Sequence, residues 1–329
     1  MTTDLPRRVT ILAVSLLLLA TAMVASVCVG AQTLAPGEIL RAFTDHSGAD
    51  EHLIVRDVRV PRTFLAVCVG AALGTAGALV QTLTRNPLAE PGILGVTAGS
   101  GFAITLGAAL GIAGSQFTQL ALAFTGAVLA AVFVYAVGRT APLRLVLAGT
   151  ALSAVLAGVS LGLRLLLPDV FDKFRFWYVG SLAGREQTSF ELLLAAIVVA
   201  LAGALLVTRP LNAIALGDNV ARTLGARVAR TRLAVLGLIT VLAAAATAAA
   251  GPIAFVGLIV PHLARRLATG SIPWLMAYTM VLSPVLMLVS DVLSRVLLPT
   301  GEVPVAVVTA FLGGPVLIWA VRRYGTVAL

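Results

Sequence analysis

The chain has 329 residues, of which 59% are hydrophobic and 11% charged, with a mean hydropathy of +1.03. Soluble domains carry about 25% charged residues, so a water-soluble globular fold is excluded and the chain reads as an all-α, polytopic membrane protein. The net charge of +9 is almost all arginine, with Lys173 the single lysine. The arginines stand at the ends of apolar runs and form no patch interleaved with aromatics, which favours membrane topology over nucleic-acid binding.

A hydrocarbon core about 30 Å thick takes roughly 20 apolar residues per helix. Spans are therefore expected near residues 9–31, 62–84, 92–113, 117–138, 144–166, 189–208, 233–251, 253–268, 274–297 and 304–321, ten in all. The first follows "MTTDLPRR" and is longer than the apolar stretch of a secretory leader, so it reads as a retained helix. With the N-terminus inside, Arg7, Arg8, Arg85, Arg139, Arg144, Arg265 and Arg266 fall on the cytoplasmic side and the outer segments become slightly acidic, satisfying the positive-inside rule. The eighth run is the shortest and carries an internal Pro261.

Two outer segments exceed simple turns. Residues 32–61 run into the second span through "RDVRVPR" (56–62), which brings Arg56, Arg59 and Arg62 to an otherwise net-negative outer face, an invitation to an acidic partner or to lipid headgroups. Residues 168–190 mix aromatics with charges and are expected to form a short surface helix. On the inner side, "TRNPLAEPGILGV" (84–96) and "RTAPLR" (139–144) hold turn formers and read either as tight hairpins or as constrictions of a pathway.

Glycine pairs four apart, Gly70/Gly74, Gly107/Gly111 and Gly158/Gly162, and the alanine run at 243–251 point to close helix packing. Asp291 and Arg295, at i and i+4 near the outer end of the ninth span, can pair. Cys28 and Cys68 lie inside apolar runs, the histidines are only His46, His52 and His262, and no P-loop signature occurs. The chain therefore has little from which to build a disulfide framework, a metal centre or a P-loop ATPase site.

Residues 209–232 are the exception in a hydrocarbon-rich chain. Arg209, Asp218, Arg222, Arg227, Arg230 and Arg232 fall between two apolar runs, and placing six charges in lipid would cost on the order of 15–20 kcal/mol. The stretch must lie in water. "GDNVARTLG" reads as a short helix with Asp218 as its cap, Val220, Ala221 and Leu224 as an apolar stripe and Gly225 as its stop. Connections between antiparallel helices usually run two to eight residues, so a longer insert suggests a docking knob.

Several of these segments together, "RVPRTFLAVCVGAALGTAGALVQTLTRNPLAEPGILGV", "LVLAGTALSAVL", "FWYVGSL", "LNAIALGDNVARTLG", "AGPIAFVGLIVPHLAR" and "GEVPVAVVTAFLGGPVLIWAVRR", resemble the permease subunits of ATP-binding cassette importers for iron–siderophore complexes and vitamin B12. The resemblance runs from about residue 55 to the C-terminus and looks most like a ferric-enterobactin-type permease. It implies a type II importer permease fold: a single transmembrane domain over 1–329 with a cytoplasmic coupling loop at about 209–232, both termini cytoplasmic, in a bacterial inner membrane. It also implies two ATPase subunits that hold the ATP and Mg, a second permease subunit (a heterodimer before a homodimer) and an extracytoplasmic substrate-binding protein.

By the same resemblance, Ala215, Leu216, Gly217, Asp218, Asn219, Ala221, Arg222, Leu224 and Gly225 form the ATPase-coupling surface. Arg59, Arg62 and Arg295 dock the binding protein, and Asn86, Leu88, Ala141 and Pro142 border the inner gate. No cofactor belongs to this chain, and the expected cargo is a ferric siderophore, a catecholate first. Vitamin B12 or heme is the alternative within the family. An ion-coupled secondary transporter is disfavoured because the spans carry almost no ionisable residues away from their ends.

Overall fold

A computed structural model describes residues 4–30, 32–45, 48–138, 142–184, 190–223, 225–298 and 301–324. Among them the regular structure is helical throughout, and each of the ten expected runs carries a helix: α1 (Asp4–Cys28), α4 (Val60–Thr84), α5 (Val96–Ala109), α6 (Gln116–Gly138), α7 (Pro142–Leu166), α9 (Glu191–Leu206), α12 (Val228–Ala250), α13 (Val256–Ala268), α14 (Ile272–Val296) and α15 (Val305–Tyr324). Between them lie the short helices α2 (Pro36–Thr44), α3 (Asp50–Leu53), α8 (Pro168–Tyr178), α10 (Thr208–Ala215) and α11 (Asp218–Thr223). The chain is a multi-pass membrane protein, with six described helices that meet the length and hydropathy of a span unaided, while α9, at 16 residues, meets them only when joined to α10 across a bend.

The runs at α5 and α13 are shorter as helices because irregular backbone takes up part of each. A 3-10 turn (Pro91–Leu94) leads into α5, and the non-helical stretch 251–255 separates α12 from α13. Such backbone is tolerated at membrane depth only where protein covers it. At Pro261 the missing N–H leaves the Gly257 carbonyl without its intrahelical donor. Gln81 of α4, fully buried, fills the vacancy: its Nε2 donates to Gly257 O at 3.3 Å and to Leu258 O at 3.2 Å.

The core is built around α4, which packs on α14, α12 and α13. Small residues make this approach achievable. A Cβ on Gly74 would lie 1.8 Å from Ser283 Oγ, one on Gly70 would lie 2.8 Å from Pro284 Cα, and one on Gly107 would lie 2.4 Å from Leu122 Cδ1. The alanines at 243–246 and 248–250 of α12 are buried, as the alanine run suggested. Gly158 and Gly162 differ: no described atom lies within 4 Å of where their Cβ atoms would stand. They sit on α7, whose Leu147, Val155, Val159 and Leu161 are likewise exposed. Gly111 serves as a left-handed stop after α5, with no packing partner at its Cβ position.

Candidate functional sites on the two faces

The inner-side insert folds as two helices, where the sequence suggested one. After α9 the chain bends by 53° into α10, Gly217 takes φ +114° between α10 and α11, and Gly225 takes φ +80° beyond α11. Ile214, Ala221 and Val228 close a small apolar core under the knob. Ala221 is thus buried as expected, but Val220 is exposed, and Leu224 lies outside the described residues. Leu216 and Val220 therefore present apolar surface on the outside of the knob. Asn219 and Arg222 are exposed beside them, and Ala215 ends α10.

Asp218 is the first residue of α11, and its carboxylate is turned to two arginines from other segments. Oδ1 accepts from Arg85 Nη2 at 3.0 Å and from Arg232 Nη2 at 2.9 Å. Arg85, left-handed at the end of α4, also donates to Ile214 O at 2.8 Å. The knob is therefore bolted to α4 and α12 through one carboxylate. Arg222, Arg227, Arg230 and Arg232 surround a hollow of about 380 Å³ beside it. Sequence reading singled out Asp218 but missed Arg85, which stands more than a hundred residues earlier.

In the loop after α4, Asn86 Oδ1 accepts the Leu88 N–H at 3.0 Å, an Asx turn, and both residues are exposed. Ala141 lies outside the described residues; Pro142 opens α7. The loop meets α7 further along, where a Cβ on Gly149 would lie 1.7 Å from Ile93 O. Glu90, in the same loop, shares a cavity of about 200 Å³ with Thr97, Thr247 and the 252–254 backbone. Burial pushes its carboxyl above the usual carboxylate range, and the Phe255 N–H it accepts pulls the other way.

The outer face departs most from expectation. Arg59, Arg62 and Arg295 are all buried, and Arg56 is the exposed member of the arginine group. A π-helical turn (Ile54–Arg59) aims Arg59 inward, where it donates to Val27 O at 2.9 Å, Cys28 O at 2.8 Å and Gln32 O. Arg295 donates to Ser26 O at 2.8 Å and to Val29 O at 3.3 Å. Two guanidinium groups thus satisfy the end carbonyls of α1, the terminus where cations are favoured. Arg62 grips Asp291 with Nε and Nη2, at 3.0 and 2.8 Å to Oδ1, and also pairs with Glu302 at 2.7 Å. Asp291 is fully buried and pairs with Arg295 as its i+4 spacing suggested, while Arg62 and Glu302 were not foreseen as its neighbours in the cluster.

The surface helix expected in 168–190 is α8. Val170, Phe174 and Trp177 are buried, with Phe174 and Trp177 packing against Ile104, Ala123 and Ala248, while the Arg164 guanidinium lies 3.9 Å from the Phe174 ring centre. Among the described residues no group of three His, Cys, Asp or Glu side chains is placed to hold a metal ion.

Residues 17–323 match the FecCD transport family. The chain belongs to that family. A FecCD relative, the ferric enterobactin transport system permease protein FepD of Escherichia coli, is 49% identical over 94% of this chain and 93% of its own length. The probable siderophore transport system permease protein YfiZ of Bacillus subtilis is 36% identical over 93% of each chain. A solved structure described as an inward-facing conformation of a putative metal-chelate type ABC transporter superposes with a TM-score of 0.83 at 28% identity, over 96% of this chain and 99% of that one. The FecCD fold thus accounts for the helical order, including the short helices between the spans.

Proposed function

We propose that this FecCD permease carries a ferric siderophore, a catecholate of the enterobactin type, across the cytoplasmic membrane under the drive of separate ATPase subunits. The observation that carries the substrate is the 49% identity to FepD over nearly the whole chain, against 36% to the Bacillus siderophore permease. The test is uptake of radio-iron as catecholate, hydroxamate and citrate chelates, beside labelled cobalamin, in cells lacking this gene. Selective loss of the catecholate is expected. Loss of cobalamin alone would keep the permease and overturn the substrate.

The knob of α10 and α11 is the ATPase contact in this reading: exposed Leu216 and Val220 supply apolar area, and the Asp218 bolt passes a push to α4 and α12. Gly217→Pro with Asp218→Arg should abolish uptake while membrane insertion persists. Proline cannot take the φ of +114°, and an arginine would oppose Arg85 and Arg232. Uptake at wild-type level would sink the assignment.

The bare face of α7, with Gly158 and Gly162, suits a second permease subunit, here a related chain, because closely packed membrane helices meet at small residues. The termini are cytoplasmic in this arrangement, and ATP and Mg belong to the ATPase. An acidic substrate-binding protein meets the outer arginine cluster, where Glu302 is the most exposed partner of Arg62. Charge reversal at Arg59 or Arg62 would break the buried cluster itself, so the discriminating change is Glu302→Gln. Removing the exposed carboxylate should tighten binding-protein affinity about two- to fivefold, the scale of one exposed charge contact. Unchanged or weaker binding would move the docking site elsewhere.

A further inference from the structure

The short helix α13 touches three parts of the molecule that the transport cycle must connect. At its inner end, the α13–α14 turn meets the knob. Asn212 Oδ1 of α10 accepts the Ile272 N–H at 3.4 Å, and Asn212, Leu216, Arg265 and Thr269 line a common hollow of about 520 Å³. Near its first turn, α13 lies in backbone contact with α4: a Cβ on Gly77 would be 1.8 Å from Gly257 O. Gln81 bonds the Gly257 and Leu258 carbonyls there and accepts from Arg265 Nη2 at 3.4 Å, so one buried amide holds both ends of the helix.

At its N-terminal end stands Phe255, with φ +70°, a left-handed conformation that strains a non-glycine residue. Its side chain bears on α15 together with that of Ile259, one turn further along α13: a Cβ at Gly313 would be 2.7 Å from Phe255 Cβ and 2.5 Å from Ile259 Cδ1. A strained residue is retained where its surroundings fix it, and here Gly313 and the Glu90 carboxylate do so from two sides.

We propose that α13 is a lever of the transport cycle, pushed at its inner end by the α10–α11 knob, resting on Gln81 and Gly77 of α4, and moving α15 through Phe255 and Ile259. The proposal rests on the ATP-coupled reading above. Gln81 and Phe255 are positioning residues in this scheme and touch no substrate.

The assembled transporter, with its ATPase and partner permease in lipid nanodiscs, tests this by spin-label distances in a Cys28→Ser, Cys68→Ala background. One label pair joins Leu17 on α1 to Leu216 on the knob; the other joins Leu17 to Ile318 on α15, all three residues being exposed. On trapping with ATP and vanadate, both distances should change in the wild type by about 2 Å, the usual scale of a helix shift. Phe255→Gly preserves the break, because glycine adopts the same φ freely, and made together with Ile259→Ala it removes both side chains that bear on Gly313. In that variant the knob distance should still change and the α15 distance should not, with uptake falling about tenfold, within the range of ordinary coupling energies.

Gln81→Leu should give the same split by removing the fulcrum. An α15 distance that changes equally in the variant with both Phe255→Gly and Ile259→Ala and in the wild type overturns the lever. If neither distance changes in the wild type, the ATP-coupled reading fails first and the lever falls with it.

Discussion

Asp291→Ala should cost the folded protein about 3–5 kcal/mol, the penalty for breaking a buried ion pair from one side. The carboxylate is fully buried between two guanidinium groups that meet no other buried anion among the described residues: Arg62 keeps Glu302, and Arg295 keeps the Ser26 and Val29 carbonyls with Ser26 Oγ. Without it two cations face each other across a low-dielectric gap with Arg59 nearby. The damage should spread to α1, because the arginines that lose their anion also hold the α1 terminus. The measurement is the midpoint of thermal unfolding of the purified protein in detergent, with Asp291→Asn as comparison. Asparagine keeps one acceptor oxygen and should fall between the alanine variant and wild type. Equal midpoints for all three would mean that the cluster is solvated and contributes little.

That cluster also marks where the sequence could and could not be read. Apolar runs of about twenty residues report their own cost in water, so every expected span holds a helix, whereas the irregular stretch 251–255 ahead of α13 lies before Pro261, which the helix carries inside it. The knob was legible for the same reason in reverse, because its charges cannot enter lipid. What a linear pattern lacks is the partner of a charge. Arg62 and Asp291 are 229 positions apart, so Arg62 read as an exposed cation when it is buried against an anion. Asp218 read as a helix cap because its near neighbours suited that role, while its carboxylate in fact serves Arg85 and Arg232. Gly158 and Gly162 show the complementary failure: their spacing announces a close contact without saying which chain supplies it.

Gly77→Ala should be among the most damaging single-atom-scale additions to the chain, and the reason separates packing from composition. The added methyl would fall 1.8 Å from Gly257 O and 2.6 Å from Gly257 Cα, both backbone atoms that no rotamer change can clear. Helices α4 and α13 would have to part, and parting them pulls Gln81 from the carbonyl that Pro261 leaves without its own donor. Overpacking of a tight core costs about 1–3 kcal/mol and a stranded buried polar group about 1–3 kcal/mol more, so a combined loss of roughly 2–6 kcal/mol is expected in detergent melting. Gly158→Ala is the control. There the methyl meets no described atom, and the better helix propensity of alanine, worth about 0.8–1 kcal/mol over glycine, should leave the isolated chain as stable or slightly more so. In the assembled transporter the order can change, because the face that is bare in one chain is where a partner helix would pack. A Gly158→Ala chain that melts normally alone yet fails to assemble would locate that partner on α7; a Gly77→Ala chain that melts normally would place α4 and α13 further apart than their backbone contact requires.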